Sequence, residues 1–354
     1  MSYSKDLAEH IRAASESHAF SKYKEARSAI LALIDESKSD AGASDYWKQE
    51  IAGFEYLFDA SPLIIETLRH HSYHLTGLYE YHYRTHHARM KGPYREKLAL
   101  LKTLDSKSLL VPESPALGGF GYDIDGALYN LDTLKFYEFL IGLDKAGFIE
   151  PVRNADRPVV VEIGSGWGGF AYQFKTLFPK TSYVLVDLPH SLLLAATYIQ
   201  ALFPDAHIYL GNSIQSYAQV DFSQYDFIFV PNTAWGTLRK QRIDLAMNMI
   251  SFQEMTDEQV RSYVSRLADF ECPRLYSLNR DRSPNNSEIS GVIGIMSEQY
   301  RVEHVSVLPV PYHVLKTPKL SFIGSVKHIV KQVIGRKSKP MSREYQHASG
   351  VLSA

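Results

Sequence analysis

From the N-terminus to about residue 150, apolar positions recur at the three- and four-residue spacing of a helix. Ala8 to Leu33, Trp47 to Leu57 and Pro62 to His87 each carry apolar residues of this kind among charged ones. Pro62 after Ser61 fits a helix start, because the first turn has no partner for the N–H that proline lacks. Pro112, Pro115 and Gly118-Gly119-Phe120-Gly121 break the pattern and predict an irregular loop. A last helix, about Leu131 to Ala146, completes a mainly helical N-terminal domain over residues 1–150.

After the polar stretch Asn154 to Pro158 the pattern alternates. Strand Val159–Ile163 precedes a helix reaching about Phe178, and strand Ser182–Asp187 precedes helix His190–Phe203. His207–Leu210, Asp226–Val230, Asp244–Met249 and Arg274–Leu278 read as further strands, with helix Asp257–Asp269 before the last. Alternation of this kind predicts an α/β domain over residues 151–318, a mostly parallel sheet covered by helices. Arg301–Leu308 and Tyr312–Leu315, separated by Pro309 and Pro311, predict an antiparallel edge hairpin.

Residues 319–354 form a third segment. Phe322, Val326, Ile329, Val330, Val333 and Ile334 recur at helical spacing among Lys327, Lys331, Arg336, Lys337 and Lys339. A basic amphipathic helix can lie on an anionic membrane surface or dock on its own domain, and docking is the commoner use.

Composition adds bounds. The chain has 354 residues, 45% apolar and 22% charged, as expected of a globular protein with a well-buried core. Its net charge of −1 supplies no field for nucleic acid. One cysteine, Cys272, excludes an internal disulfide framework and fits a reducing compartment. The N-terminus lacks the apolar segment of a secretory signal, and no run approaches the roughly 20 apolar residues that span a bilayer. A cytoplasmic location is expected, with the inner membrane face as the place where the basic tail could act.

The chemistry concentrates in Val159-Val160-Val161-Glu162-Ile163-Gly164-Ser165-Gly166-Trp167-Gly168-Gly169. Strand, glycine turn and helix open a nucleotide-binding unit, and Gly164, Gly166 and Gly169 satisfy the dinucleotide pattern. Dinucleotide folds place a pyrophosphate on the helix N-terminus. A carboxylate at Glu162 would weaken that anion, whereas it suits the sulfonium and amino group of S-adenosylmethionine. Asp187, ending the next strand, can accept hydrogen bonds from ribose hydroxyls in either kind of site.

Glu162-Ile163-Gly164-Ser165-Gly166 with Asp187-Leu188-Pro189 resembles the class I S-adenosylmethionine-dependent methyltransferases. Dispersed segments resemble the bacterial sugar O-methyltransferase family more narrowly. These are Phe54-Glu55-Tyr56-Leu57 with Leu75-Thr76-Gly77, Gly118-Gly119-Phe120-Gly121, and Asp244 to Asn248 leading into Ser251 to Met255. The resemblance covers about residues 45 to 315. It implies a Rossmann-like seven-stranded sheet, S-adenosyl-L-methionine as cofactor and methyl transfer to a sugar hydroxyl. Glu162, Gly164, Ser165, Gly166, Asp187, Leu188, Asn232 and Asn248 are the expected cofactor residues.

Methyl transfer to a hydroxyl is an in-line displacement helped by a general base. Glu254, after the strand ending at Asn248, is the leading base, and His313 is the alternative. Thr256 and Gln259 can form a capping box for the next helix without engaging Glu254. Tyr122, in a glycine loop read as a lid, and Asn279 with Arg280 are the candidate acceptor contacts. His70, His71, His74, His82, His86 and His87 fall on one predicted helical stretch, where packing is expected rather than a metal. Tyr73, Tyr79, Tyr81 and Tyr83 between them can stack on a sugar ring.

The first expectation is therefore an O-methyltransferase acting on a sugar of a surface glycan or its precursor. A nicotinamide-dependent oxidoreductase and a non-catalytic protein that kept the nucleotide fold are the alternatives. The expected partner is a sugar or glycan acceptor. Membrane contact through the tail and a second copy of the chain stay open.

Overall fold

The structure is a computed structural model that describes residues 3–37, 44–284, 286–315 and 344–353. Two short strands, β1 (Tyr122–Ile124) and β2 (Ala127–Tyr129), pair antiparallel apart from the main sheet. The main sheet contains β3 (Val159–Ile163), β4 (Ser182–Asp187), β5 (Ile208–Leu210), β6 (Phe227–Pro231), β7 (Leu245–Met249), β8 (Arg274–Arg280), β9 (Tyr300–Val305) and β10 (Tyr345–Leu352). Their order across the sheet is β5-β6-β4-β3-β7-β8-β10-β9. Pairings from β5 through β8 are parallel; β10 runs antiparallel to both of its neighbours.

Every residue of β3, β6 and β7 is buried, which is why these strands are continuous apolar runs and not alternating ones. From β3 the chain moves first to β4 on one side, and later reaches β7 on the other. Such a reversal opens a crevice at the carboxyl ends of the strands, the usual ligand position in an open α/β sheet. One hydrophobic core runs from Tyr23 to Ala348, so the helical N-terminal region shares the core of the sheet. Helix His18–Ser37 packs along helix Pro189–Leu202. Helix Leu131–Lys145 starts at an Asn130/Thr133 capping box and is almost wholly buried against the sheet.

The α/β architecture and helical N-terminal region agree with expectation, but several details do not. Among the described residues the sheet has eight strands, not seven. Tyr312–Leu315 is not a strand; Pro309 and Pro311 remove ladder donors beside it. The antiparallel partner of β9 is β10, which belongs to the segment assigned to the basic tail and lies inside the sheet edge. The predicted amphipathic positions Phe322 to Lys339 lie outside the described residues. Among the described residues no helix is long and apolar enough to cross a membrane.

The stretch 62–87 is not one helix. It forms short turns at Pro62–Glu66, Leu68–His71 and Tyr73–Thr76, and Gly77 in the left-handed region (φ 68°) ends the last. The histidines therefore do not share a helical face. His71 Nδ1 meets Tyr56 Oη at 2.7 Å, His74 lies 3.8 Å from the Tyr73 ring, and His70 packs on Phe120.

The glycine loop is a close-packed connector and not a lid. A Cβ at Gly119 would lie 1.6 Å from the Ser114 carbonyl oxygen, and one at Gly121 2.6 Å from that of Tyr129. Tyr122 is buried against Tyr83 and Tyr94.

Arg69 holds this region together. Its guanidinium is buried and donates to Glu113 Oε1 at 2.7 Å, Asp132 Oδ2 at 2.8 Å and Ser72 Oγ. It also stacks over Trp167 at 3.8 Å and faces Phe120 at 4.6 Å. Arg69→Met leaves buried Glu113 without a cation and Asp132 with Lys135 alone. We expect it to lower unfolding free energy by about 3–5 kcal/mol in urea titration, the range for breaking a buried pair. A loss below about 1 kcal/mol would mean that the cluster behaves as a surface ion pair.

Candidate functional site

The turn after β3 takes its shape from three glycines at positive φ: Gly164 (76°), Gly166 (56°) and Gly168 (86°). At Gly164 there is also no room for a side chain, since a Cβ would lie 1.9 Å from Ser251 Oγ. The turn is tied to β4 through carboxylate and carbonyl. Gly164 N donates to Val186 O at 2.7 Å and Gly166 N donates to Asp187 Oδ2 at 2.7 Å. Leu188 N donates to Asp187 Oδ1, also at 2.7 Å. Burial raises the Asp187 carboxyl to about 6 despite these amide hydrogen bonds.

Glu162 sits below the turn and is buried. Its Oε2 accepts a hydrogen bond from Tyr183 Oη at 2.8 Å. Burial pushes its carboxyl up to about 8; the Tyr183 hydroxyl opposes the rise and the Asp187 charge adds to it. Ser165 Oγ, buried in the turn, has no hydrogen-bond partner among the described residues.

The other wall is built from the loop between β7 and the helix Asp257–Asp269. Asn248 at the end of β7 is buried; its Nδ2 donates to Ile163 O at 2.8 Å and its Oδ1 accepts from Phe252 N at 3.0 Å. Asn279 on β8 donates to that same Oδ1 at 2.7 Å and to Ser277 Oγ at 2.7 Å. Arg280 N donates to Gln253 Oε1 at 2.8 Å. This amide network fixes the turn Phe252–Glu254, and Glu254 emerges from it. The Thr256/Gln259 capping box is present immediately after. Ile250, at the start of the loop, has φ 62°, an outlier for a β-branched residue.

Between the two walls lies a cavity of about 930 Å³. Glu162, Gly164, Ser165, Gly166, Asp187, Leu188, Asn232 and Glu254 all line it, so the structure brings these candidates together. Asn248 and Asn279 do not: they stand behind the wall with their polar atoms engaged in shaping the loop. Arg280 also lies outside, with its guanidinium 4.3 Å over the ring of Tyr345, which is a wall residue. His313 is exposed and packs edge-on against Tyr345, so it is displaced from the reaction space. Tyr122 is buried elsewhere.

Sequence reasoning missed several wall residues. Trp47 and Glu50 come from the N-terminal region, and Tyr312 and Tyr345 from the C-terminal one, whereas Tyr73 and Tyr79, expected to stack, and His74, expected to pack, do line the wall. Tyr73 and Tyr79 stack at 4.8 Å. Lys135 was also missed, although charges inside an otherwise apolar helix (Asp132, Lys135, Glu138) signal buried partners or function.

Among the described residues the cavity wall carries five carboxylates, Glu50, Glu162, Asp187, Glu254 and Glu258, against one amine, Lys135. Glu254 is pushed up to about 8, first by burial, with the Asp187 and Glu50 charges adding and a Gln253 hydrogen bond opposing. A wall of this composition suits a positively charged ligand and holds two carboxyls, Glu162 and Glu254, poised near neutrality.

No family model matches the chain, and no curated protein matches it. Solved structures similar to it share little sequence. The YcgJ protein from Bacillus subtilis is 15% identical, over 59% of this chain and 97% of that one, with a TM-score of 0.35. WbdD is 14% identical over 71% of this chain and 46% of its own, with a TM-score of 0.38. Haemonchus contortus phosphoethanolamine N-methyltransferase 2, in complex with S-adenosyl-L-methionine, is 10% identical over 63% and 57%, with a TM-score of 0.33. This chain thus spans about half the length of the last two.

Proposed function

We propose that this protein is an S-adenosylmethionine-dependent O-methyltransferase that acts on a sugar hydroxyl of a glycan or glycan precursor. The observation that carries the reading is the occupancy of the glycine turn: Gly166 N–H is already donated to Asp187, and Glu162 lies beneath. A dinucleotide pyrophosphate at this turn would meet two carboxylates and find that amide taken. A sulfonium nucleoside meets opposite charge. The residues fit the ligand in two further respects. Asp187 keeps acceptor capacity for a ribose hydroxyl beyond its two amide hydrogen bonds and the one from Ser191, and buried Ser165 Oγ lines the same cavity.

When bound, S-adenosylmethionine supplies a methyl group on a positively charged sulfur. Glu162 faces that charge as a carboxylate, and Asp187 fixes the ribose. Glu254, on the opposite wall, takes the proton from the acceptor hydroxyl as its oxygen becomes a nucleophile. The stacked Tyr73 and Tyr79 rings offer the sugar an apolar face to lie on, which is what favours a sugar as acceptor.

Three outcomes are expected. Calorimetric titration should give saturable binding of S-adenosylhomocysteine and none of NADH or NADPH; the reverse result would overturn the reading.

Second, Glu162 is raised to about 8, so near pH 7 it is mostly protonated before ligand arrives. A cation favours its ionised form, so S-adenosylmethionine binding should release a proton and tighten as pH rises toward about 8. Calorimetry in buffers of different ionisation enthalpy reads this directly, and Glu162→Gln should abolish it.

Third, the base must be ionised, so kcat should climb with pH through the Glu254 range near 8. Glu254→Gln should remove that limb and lower kcat by roughly 10²–10⁴-fold, while S-adenosylhomocysteine binding changes little. Unchanged turnover on a sugar acceptor would exclude Glu254 as base.

A further inference from the structure

The cavity wall is acidic apart from Lys135, and the way that lysine is held singles it out. Its Nζ lies 2.9 Å from Asp132 Oδ1, and the other Asp132 oxygen accepts from Arg69 at 2.8 Å. Arg69 in turn holds Glu113 at 2.7 Å. The result is a buried line of alternating sign, Glu113, Arg69, Asp132, Lys135, with no net charge. Its last member is the one that reaches the cavity. Asp132 and Arg69 are buried, and the Lys135 side chain is only 16% exposed, so the ammonium is held in place and does not wander in solvent. An ammonium has three donors, and the hydrogen bond to Asp132 occupies one of them.

Ser165 supplies an independent sign of a missing ligand atom at this end of the cavity. Its hydroxyl is buried, lines the same cavity and has no partner among the described residues. Lys135 lines the same cavity as Glu162 and Ser165, its charge acts on the carboxyls of both Glu162 and Glu254, and Ser165 follows Glu162 by three residues in the turn. A fixed cation and an orphaned hydroxyl beside an acidic group form a site for a zwitterion: Glu162 for its positive part, Lys135 and Ser165 for its negative part.

Resting on the cofactor reading above, we propose that Lys135, set by Asp132 and aided by Ser165, binds the α-carboxylate of the amino-acid end of the ligand. The protein thereby selects complete S-adenosyl amino acids over thioadenosines that lack the carboxylate. Lys135 is a specificity-determining contact, and Asp132 is the positioning residue behind it.

The test compares two ligands by calorimetry. S-adenosylhomocysteine carries the carboxylate; 5′-methylthioadenosine keeps the nucleoside and thioether but has no amino-acid end. Lys135→Met should weaken S-adenosylhomocysteine by roughly tenfold to a hundredfold, the range for losing a charged hydrogen bond. It should leave 5′-methylthioadenosine within about twofold, and Lys135→Arg should restore most of the loss. Equal weakening of both ligands, or of neither, overturns the assignment. If Lys135→Met does not fold, Lys135→Gln takes its place: wild type should bind S-adenosylhomocysteine roughly tenfold to a hundredfold more tightly than its decarboxylated form, Lys135→Gln should remove most of that preference, and an unchanged ratio overturns the assignment. Failure of the wild-type protein to bind either nucleoside overturns the cofactor reading itself, which separates the two failures.

Discussion

Burying a guanidinium is costly unless its charge is met on the spot, and Arg69 shows what meeting it requires. Glu113 comes from the segment before β1, Asp132 from the first turn of helix Leu131–Lys145, and Trp167 from the glycine turn. These are distant in sequence, and all must be in place for the cation to sit there without penalty. Arg69 therefore couples the helical region to the turn of the sheet. The same constraint explains the close packing at Gly119 and Gly121, where the loop carrying Phe120 is pressed against its neighbours.

The cavity follows a different logic. Carboxyl groups crowded together in a poorly hydrated space resist ionising, and each raises the others. Glu162 and Glu254 are both driven upward by burial, with Asp187 adding to each. A cation set against such a wall would favour the ionised carboxyls and relieve their crowding. The amide network around Asn248 and Asn279 serves the backbone instead. It fixes the loop that presents Glu254, including the left-handed Ile250, without entering the cavity.

Much of this is legible in the sequence, for physical reasons that differ from residue to residue. β3 and β4 are readable because doubly buried parallel strands leave uninterrupted β-branched and apolar runs. The turn is readable because left-handed backbone demands glycine. Glu254 is readable from its position after a strand. Asn248 and Asn279 stand at the expected strand ends but have a different role, since spacing does not tell a wall atom from one behind it. Lys135, Trp47 and Tyr345 escape such reading because they enter from elements outside the nucleotide unit, although Tyr73 and Tyr79 do not. The strand β10 escapes it because Gln346, His347 and Ser349 disguise it; buried His347 is tolerated there through Glu138 and Tyr276.

The placement of β10 has a consequence for how the sheet comes together in time. Among the described residues β9 pairs with the sheet through β10 alone, so its ladder cannot form until β10 has arrived. Before that moment β8 is an open edge, with unpaired amides and carbonyls that invite association with another chain. Two strands thus join as one late event that spans a large sequence separation, a slow kind of pairing. A cut just ahead of Tyr345 would remove one strand from the chain but two from the sheet.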